Sequence, residues 1–433
     1  MSIPLDRLYQ YIESVAEEIR DDTVIIYRFY PHGSKKVEDL SNFREYFYLD
    51  YYTMPHLYCN DQEPLDYSAY PNGCKMQDES KELLTSLSIS LPYDTNFSQK
   101  LHNIYDYSLL LHSEQHSSNL EQYKNNNFIT VYYWSHAVIA LDWFRYAQHV
   151  QQKKSVTKTF LVYNRAWSGT REYRLGFADR LIMLGLVDST LMRVSPVDSN
   201  IDKHYDLHQF KQTHWRPHNV IEEYFPLCTA DGNYSANFDQ EDYESTDIEV
   251  VLETLFDDQR VHLTEKILRP IAMGQPFILA GTPNSLKYLR NYGFKTFSNC
   301  WDESYDMMTD SIERMDKIIK IMRDIVSMTS TKQAEIIKRA QDIAEYNKQY
   351  FFSEKFQNLI INELRQNLKL AFEKLETCNT SKLFINWRKT LANLPDTKSF
   401  LLGNGRDVPY DRQELVKILK KARQYYLRTL SQN

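Results

Sequence analysis

Between residues 159 and 297 the chain alternates apolar runs of strand length with amphipathic stretches of helix length, and this alternation constrains the fold more than any other feature. "TFLVYNRAW" (159–167), "DIEVVLET" (247–254) and "PFILAG" (276–281) are short, rich in β-branched and aromatic residues, and suit strands buried on both faces. "GTREYRLGFADRLIMLGLV" (169–187), "TEKILRPIAMG" (264–274) and "SLKYLRNYG" (285–293) read as helices. Repeated β-α-β-α of this kind implies a parallel sheet covered on both faces. The stretch 195–245 is less regular, and 311–375 is almost wholly helical, with Ile, Met, Leu and Phe at three-to-four spacing.

The first 150 residues mix helix with strands at "TVIIYRFY" (23–30), "HLYCNDQEPL" (56–65) and "FITVYYW" (128–134), and a helix follows over 135–150 with Ser135 as its cap. The polar, aperiodic "QQKKSVTK" (151–158) suits a linker. A length of 433 residues allows two or three domains. The expected division is 1–150, 159–330, and a helical and basic remainder over 331–433.

Neither a secretory leader nor a membrane span is expected: the amino terminus is charged, and no run of 18 apolar residues occurs. Five scattered cysteines without CxxC spacing fit a reduced, cytoplasmic setting and no zinc site. Net charge is −7 but uneven: residues 380–433 carry eleven Lys/Arg against four Asp/Glu. That tail suits a polyanion such as DNA, or a solvated helix face.

In an α/β sheet, ligands bind beyond the carboxyl ends of the strands, where helix amino termini point. Arg165 follows one strand, and Glu265 and Lys266 open the helix after "VHL". The two cations suit a diphosphate, and a carboxylate beside them suits ribose hydroxyls. Thr264 and Glu265 also suit a plain helix cap. Glu253, Asp257 and Asp258 stand before this helix, and Asp302 and Glu303 follow the next strand–helix pair, where they are candidates for sugar hydroxyls. For a general base in the amino-terminal part, "NDQEPLD" offers Asp61 and Glu63, with His112, Glu114, His116 and His136 as further candidates. Asp61-Gln62-Glu63 is also the nearest approach to a metal-binding Asp-x-Asp, but with Arg165 and Lys266 available no essential metal is expected. P-loop, GxGxxG, GxSxG and HExxH patterns are absent.

"TEKILRPIAMGQPFILAG" followed by "LKYLRNYGFKTF" resembles the donor half of GT-B glycosyltransferases. A broader likeness over about 56–375 runs through "CNDQEPLDY", "VYYWSHAVIALDWFRYA", "VYNRAWSGTREYRL", "IEVVLETLFDD" and "GFKTFSNCWDESYD". These stretches are similar to bacteriophage glycosyltransferases that modify 5-hydroxymethylcytosine in DNA. The resemblance implies two Rossmann-like domains facing across a cleft, with the acceptor site in the first and a UDP-sugar in the second. It implies Glu265 on the ribose, Lys266 and Arg165 on the pyrophosphate, and Thr264 at the same entrance. Where the family has an aromatic residue, this chain has His262. Transfer of a sugar such as arabinose to DNA in a host cytoplasm, helped by the basic tail and without a membrane, is the expectation. A polysaccharide or glycolipid acceptor, and a non-catalytic binding module, are the competing readings.

Overall fold

The computed structural model describes residues 129–198, 201–219 and 238–377 continuously, together with 28–29, 56–59, 108–116 and three residues near the amino terminus. The chain divides into two compact units. One contains Glu114–His116 and His136–Ile360, and the other contains Pro4–Ser113, Ser117–Ser135 and Ile361–Asn433.

In the second unit, β1 (Arg28–Phe29), β2 (His56–Cys59), β3 (Ser108–His112) and β4 (Ile129–Tyr133) form a four-stranded sheet in that order. All its pairings are parallel.

The first unit begins with helix α1 (Ala137–Trp143) and is built on β5 (Lys158–Asn164), β6 (Thr190–Val194), β9 (Thr246–Leu252) and β10 (Phe277–Ala280). A two-residue antiparallel pair, β7 (Val197–Asp198) and β8 (Lys203–His204), lies between β6 and β9 in the chain. The sheet order is β10-β9-β5-β6, every pairing parallel. The chain runs from β5 outward to β6, then returns to the other side of β5 for β9 and β10. The strand order therefore reverses between β5 and β9, which is where open α/β sheets bind ligands. The expected α/β class with a parallel sheet is what the first unit has. One strand of it, β6, stands in a stretch with no expected element.

Helices α2 (Tyr173–Met183) and α4 (Glu265–Met273) carry the crossovers to β6 and β10; α3 (Gln240–Glu244) precedes β9 and α5 (Ser285–Asn291) follows β10. The strands read as apolar runs because both faces are covered: Phe160, Leu161, Val162, Ile248, Val250, Val251, Ile278 and Leu279 are all buried. One charged pair sits among them. Arg269 of α4 donates to Glu249 of β9 at 2.5 Å and to the Tyr243 hydroxyl at 3.1 Å, and its guanidinium lies over the Tyr163 ring. Burial disfavours the Arg269 charge, but Glu249 together with Tyr243 and Tyr163 outweighs this and holds its pKa above the ordinary value.

Residues 151–158, expected as a linker, are bonded into the first unit. Ser155 and Thr157 donate their N–H groups to Glu244 and Ser245, and Gln152 donates to Met273 O. The polarity that suggested a free segment serves backbone partners instead. Three long helices complete the described chain: α6 (Ser311–Val326), α7 (Ser330–Phe351) and α8 (Glu354–Thr377). No helix among the described residues is long and apolar enough to cross a membrane.

Candidate functional site at the carboxyl edge of the sheet

Three strand-to-helix junctions lie at the carboxyl edge of the β10-β9-β5-β6 sheet, and in each a carboxylate accepts backbone N–H groups. In the junction after β5, Trp167 and Ser168 donate their N–H groups to one oxygen of the buried Asp198, each at 2.6 Å. After β10, Asp306 accepts the N–H groups of Leu286 at 2.8 Å and Lys287 at 3.1 Å, capping α5 with a carboxylate. These two junctions therefore carry their own internal anions.

The junction after β9 adds a cation to its carboxylate. Glu253, wholly buried just past β9, accepts the Thr264 N–H at 3.0 Å and the Thr264 hydroxyl at 2.8 Å. Thr264 is the N-cap of α4, and its hydroxyl accepts the Lys266 N–H at 3.4 Å and the Lys266 ammonium at 3.2 Å. The ammonium also donates to Glu265 Oε1 at 2.9 Å. The helix closes at Gly274, whose φ of +68° is the left-handed conformation that glycine adopts without strain. The strand end thus fixes the cap, and the cap fixes the cation.

Residues distant in sequence complete this entrance. Gln115 and Val261 form an antiparallel bridge through two N–H···O bonds of 2.9 Å. Beside it, Arg260 reaches the fully buried Glu114 at 3.4 Å and Asp258 at 2.6 Å. His262 is 1% exposed, and its ring meets that of His136 edge-to-face at 5.0 Å between centroids. The imidazole that stands where the family has an aromatic residue is thus covered by another imidazole. Glu114 and His136, two of the base candidates, are buried parts of this brace, while His116 is exposed with φ +59°.

Thr264, Glu265, Lys266 and Arg165 all stand at the carboxyl edge, with Arg165 half-buried directly after β5. Asp302 and Glu303 are employed elsewhere: Asp302 pairs with Lys317 at 2.7 Å, and Glu303 accepts from Thr296 Oγ1 and the Phe297 N–H. Asp257 accepts the Trp215 indole N–H at 2.5 Å. Asp61 and Glu63 lie outside the described residues. No group of three or more His, Cys, Asp or Glu suited to a metal ion occurs among the described residues.

Sequence reading passed over Asn164 and Thr254, which lie at and just past the carboxyl ends of β5 and β9 and are buried there. The signal was present: a polar amide closing an apolar strand, directly before Arg165. No protein-family model, no curated protein and no solved structure matches the chain.

Proposed function

We propose that the chain is a nucleotide-sugar-dependent glycosyltransferase of GT-B architecture whose donor site is the entrance of α4. One observation carries this reading. At each of the three junctions at the carboxyl edge a carboxylate (Asp198, Glu253 or Asp306) accepts backbone N–H groups, and the α4 entrance adds to this the Lys266 ammonium on a capped helix amino terminus. A diphosphate finds the N–H pairs of the first two junctions taken by carboxylates, whereas at the third it competes with Glu265 for the Lys266 ammonium.

Without donor, Glu265 and Lys266 neutralise one another across 2.9 Å. A nucleoside diphosphate sugar exchanges that pair for two better-matched ones. Its ribose hydroxyls donate to Glu265, and its phosphate oxygens accept from Lys266 and Arg165. In the transfer, the acceptor hydroxyl oxygen bonds to the anomeric carbon as the bond from that carbon to the phosphate oxygen breaks. The proton passes to a base, for which Asp61 and Glu63 are the candidates, and the nucleoside diphosphate leaves with its charge held by the two cations.

The acceptor in this proposal is the hydroxymethyl group of 5-hydroxymethylcytosine in DNA. The resemblance to phage DNA-modifying enzymes supports it, as does the net positive charge of residues 380–433. The test is nucleoside mass spectrometry after incubating the protein, or its Lys266→Ala variant, with hydroxymethylcytosine DNA and a panel of UDP-sugars including UDP-arabinose. A pentose or hexose mass shift that the variant lacks is the expected result. Release of UDP without a shift moves the acceptor to a carbohydrate, and neither signal with any donor overturns the proposal.

A further inference from the structure

The reversal point of the sheet holds a group of buried polar atoms that the fold itself does not use. Register places Asn164 beside Val194 and Leu252 beside Ala280. The pairing of Leu161 with Glu249, carried forward along the two strands, sets Asn164 level with Leu252. Tyr163 and Glu249 share the face covered by α4, since Arg269 lies over the one and bonds to the other. Strand alternation then directs Asn164 to the opposite face, and Thr254, two residues past the end of β9, accepts at its carbonyl the Thr170 hydroxyl of the junction after β5 at 3.1 Å. Arg174 of α2 lies across the same two strand ends. It donates to Ala166 O at 2.7 Å, Leu252 O at 2.9 Å and Glu253 O at 3.0 Å.

Both amide atoms of Asn164, the hydroxyl of Thr254 and Nε of Arg174 make no hydrogen bond among the described residues. Yet Asn164 is 1% exposed, Thr254 0% and Arg174 3%. Each such atom lowers stability, and buried polar groups in proteins are nearly always partnered. Departures from that rule gather at functional sites, and this one stands where a parallel sheet binds its ligand.

The atoms also indicate the ligand's chemistry. They comprise an amide that donates and accepts, a hydroxyl that does both, and one further N–H. Phosphate supplies acceptors only and would meet Asn164 Oδ1 oxygen to oxygen. An apolar group satisfies none of them. Neighbouring hydroxyls, each donor and acceptor, satisfy all. We infer that Asn164 and Thr254, assisted by Arg174, form a subsite for the hydroxyl groups of the sugar carried by the donor. The inference rests on the donor site proposed above and adds the residues that select the sugar. Because these atoms are nearly covered, hydroxyls reach them only when the junction 165–171 releases its bonds to Asp198, Arg174 and Thr254.

The test exploits the conflict between stability and binding. Asn164→Leu and Thr254→Val keep the side-chain shapes and remove the unmet polar atoms. Thermal unfolding and titration calorimetry of the full chain are measured with UDP and with UDP-glucose, UDP-galactose and UDP-arabinose. Both variants are expected to unfold at or above the wild-type temperature and to keep UDP affinity. Their affinity for the sugar nucleotide that binds wild type best should fall by about tenfold or more, since a site built for a hydroxyl discriminates strongly once that bond is lost. Unchanged sugar-nucleotide affinity in both variants overturns the subsite while leaving the donor site standing. Equal losses for UDP and UDP-sugar overturn it too, because the contact would then not be with the sugar. Wild-type protein that binds neither UDP nor any UDP-sugar overturns the donor site and the subsite together. Should Asn164→Leu fail to fold, Thr254→Val and Asn164→Asp carry the same comparison.

Discussion

Glu253 receives both the backbone N–H and the hydroxyl of Thr264, at 3.0 and 2.8 Å, so the end of one strand fixes the first turn of the helix that follows it. Glu253→Gln keeps the volume but removes the charge and the acceptor for the Thr264 hydroxyl proton, which the amide NH2 cannot receive. Loss of a buried charge-assisted bond costs about 1.5–3 kcal/mol. The expected outcome is a lower unfolding temperature together with weaker UDP binding, because Lys266 is positioned through the same Thr264 hydroxyl. Thr264→Val, which removes the hydroxyl alone, should weaken UDP binding more than it lowers stability. Calorimetric titration beside thermal unfolding separates the two effects.

Lys266 should behave differently. Its ammonium keeps some exposure and pairs within one turn of α4, but its removal takes an ion pair from the buried Glu265, so the expected cost to stability is about 1–3 kcal/mol. If it carries the diphosphate, Lys266→Ala raises the UDP dissociation constant by roughly 10- to 100-fold, as loss of a charge-assisted phosphate contact does. Lys266→Arg should recover part of that loss. EDTA should leave UDP binding by the wild type unchanged, since the cations in this reading belong to the chain. Unaltered UDP affinity in Lys266→Ala would falsify the assignment.

What could be read from the sequence was what is encoded locally. The cap Thr264, the end of α4 at Gly274 and the apolar runs of β5, β9 and β10 each follow from adjacent residues, and each forms near the expected place. β6 gave no such signal. Its pattern alternates buried Thr190, Met192 and Val194 with less buried Leu191 and Arg193, as a short strand at the sheet edge does, and its charge masked it. The brace at the α4 entrance was beyond local reading for another reason: Glu114 and Arg260 stand 146 residues apart, and only the fold brings them together. Asn164 was passed over because a polar residue closing an apolar run reads as a strand terminus. Whether its amide finds a partner depends on α2 and β9, elements encoded far from it.

Arg269 and Glu249 form a buried ion pair between α4 and β9, with the Tyr243 hydroxyl donating to the same carboxylate. Removing one partner strands a charge, so Arg269→Met should cost about 3–5 kcal/mol. Replacing both, as Arg269→Met with Glu249→Leu, removes the desolvation burden along with the attraction and should recover much of that loss. Urea unfolding of the single and double variants gives the coupling directly. A double variant no more stable than the single would mean that Tyr243 and Tyr163, rather than the charge pair, hold α4 against the sheet.

Lys154 gives a prediction in pH. Its ammonium is enclosed by Tyr243 O, Thr246 O and Gln275 Oε1 at 2.8, 2.7 and 2.5 Å, and burial brings its pKa down to about 8 despite the attraction of Asp247 and Glu244. The folded state therefore releases this proton near pH 8, while the unfolded chain keeps it until about 10.5. Between those values the unfolded state binds more protons, so the contribution of Lys154 to stability rises with pH. It is least favourable below pH 8 and levels off above 10.5. The shift sets a ceiling on the order of 3 kcal/mol, and the three acceptors around the ammonium, which favour the charged form, bring the measured rise below it. Lys154→Met should be less stable than wild type at neutral pH, because it leaves those acceptors unmet. Its stability curve should also lack the rise between pH 8 and 10.5. The check is urea unfolding of both proteins at half-unit steps from pH 7 to 10.5, and parallel curves would remove Lys154 as the source of any pH dependence there.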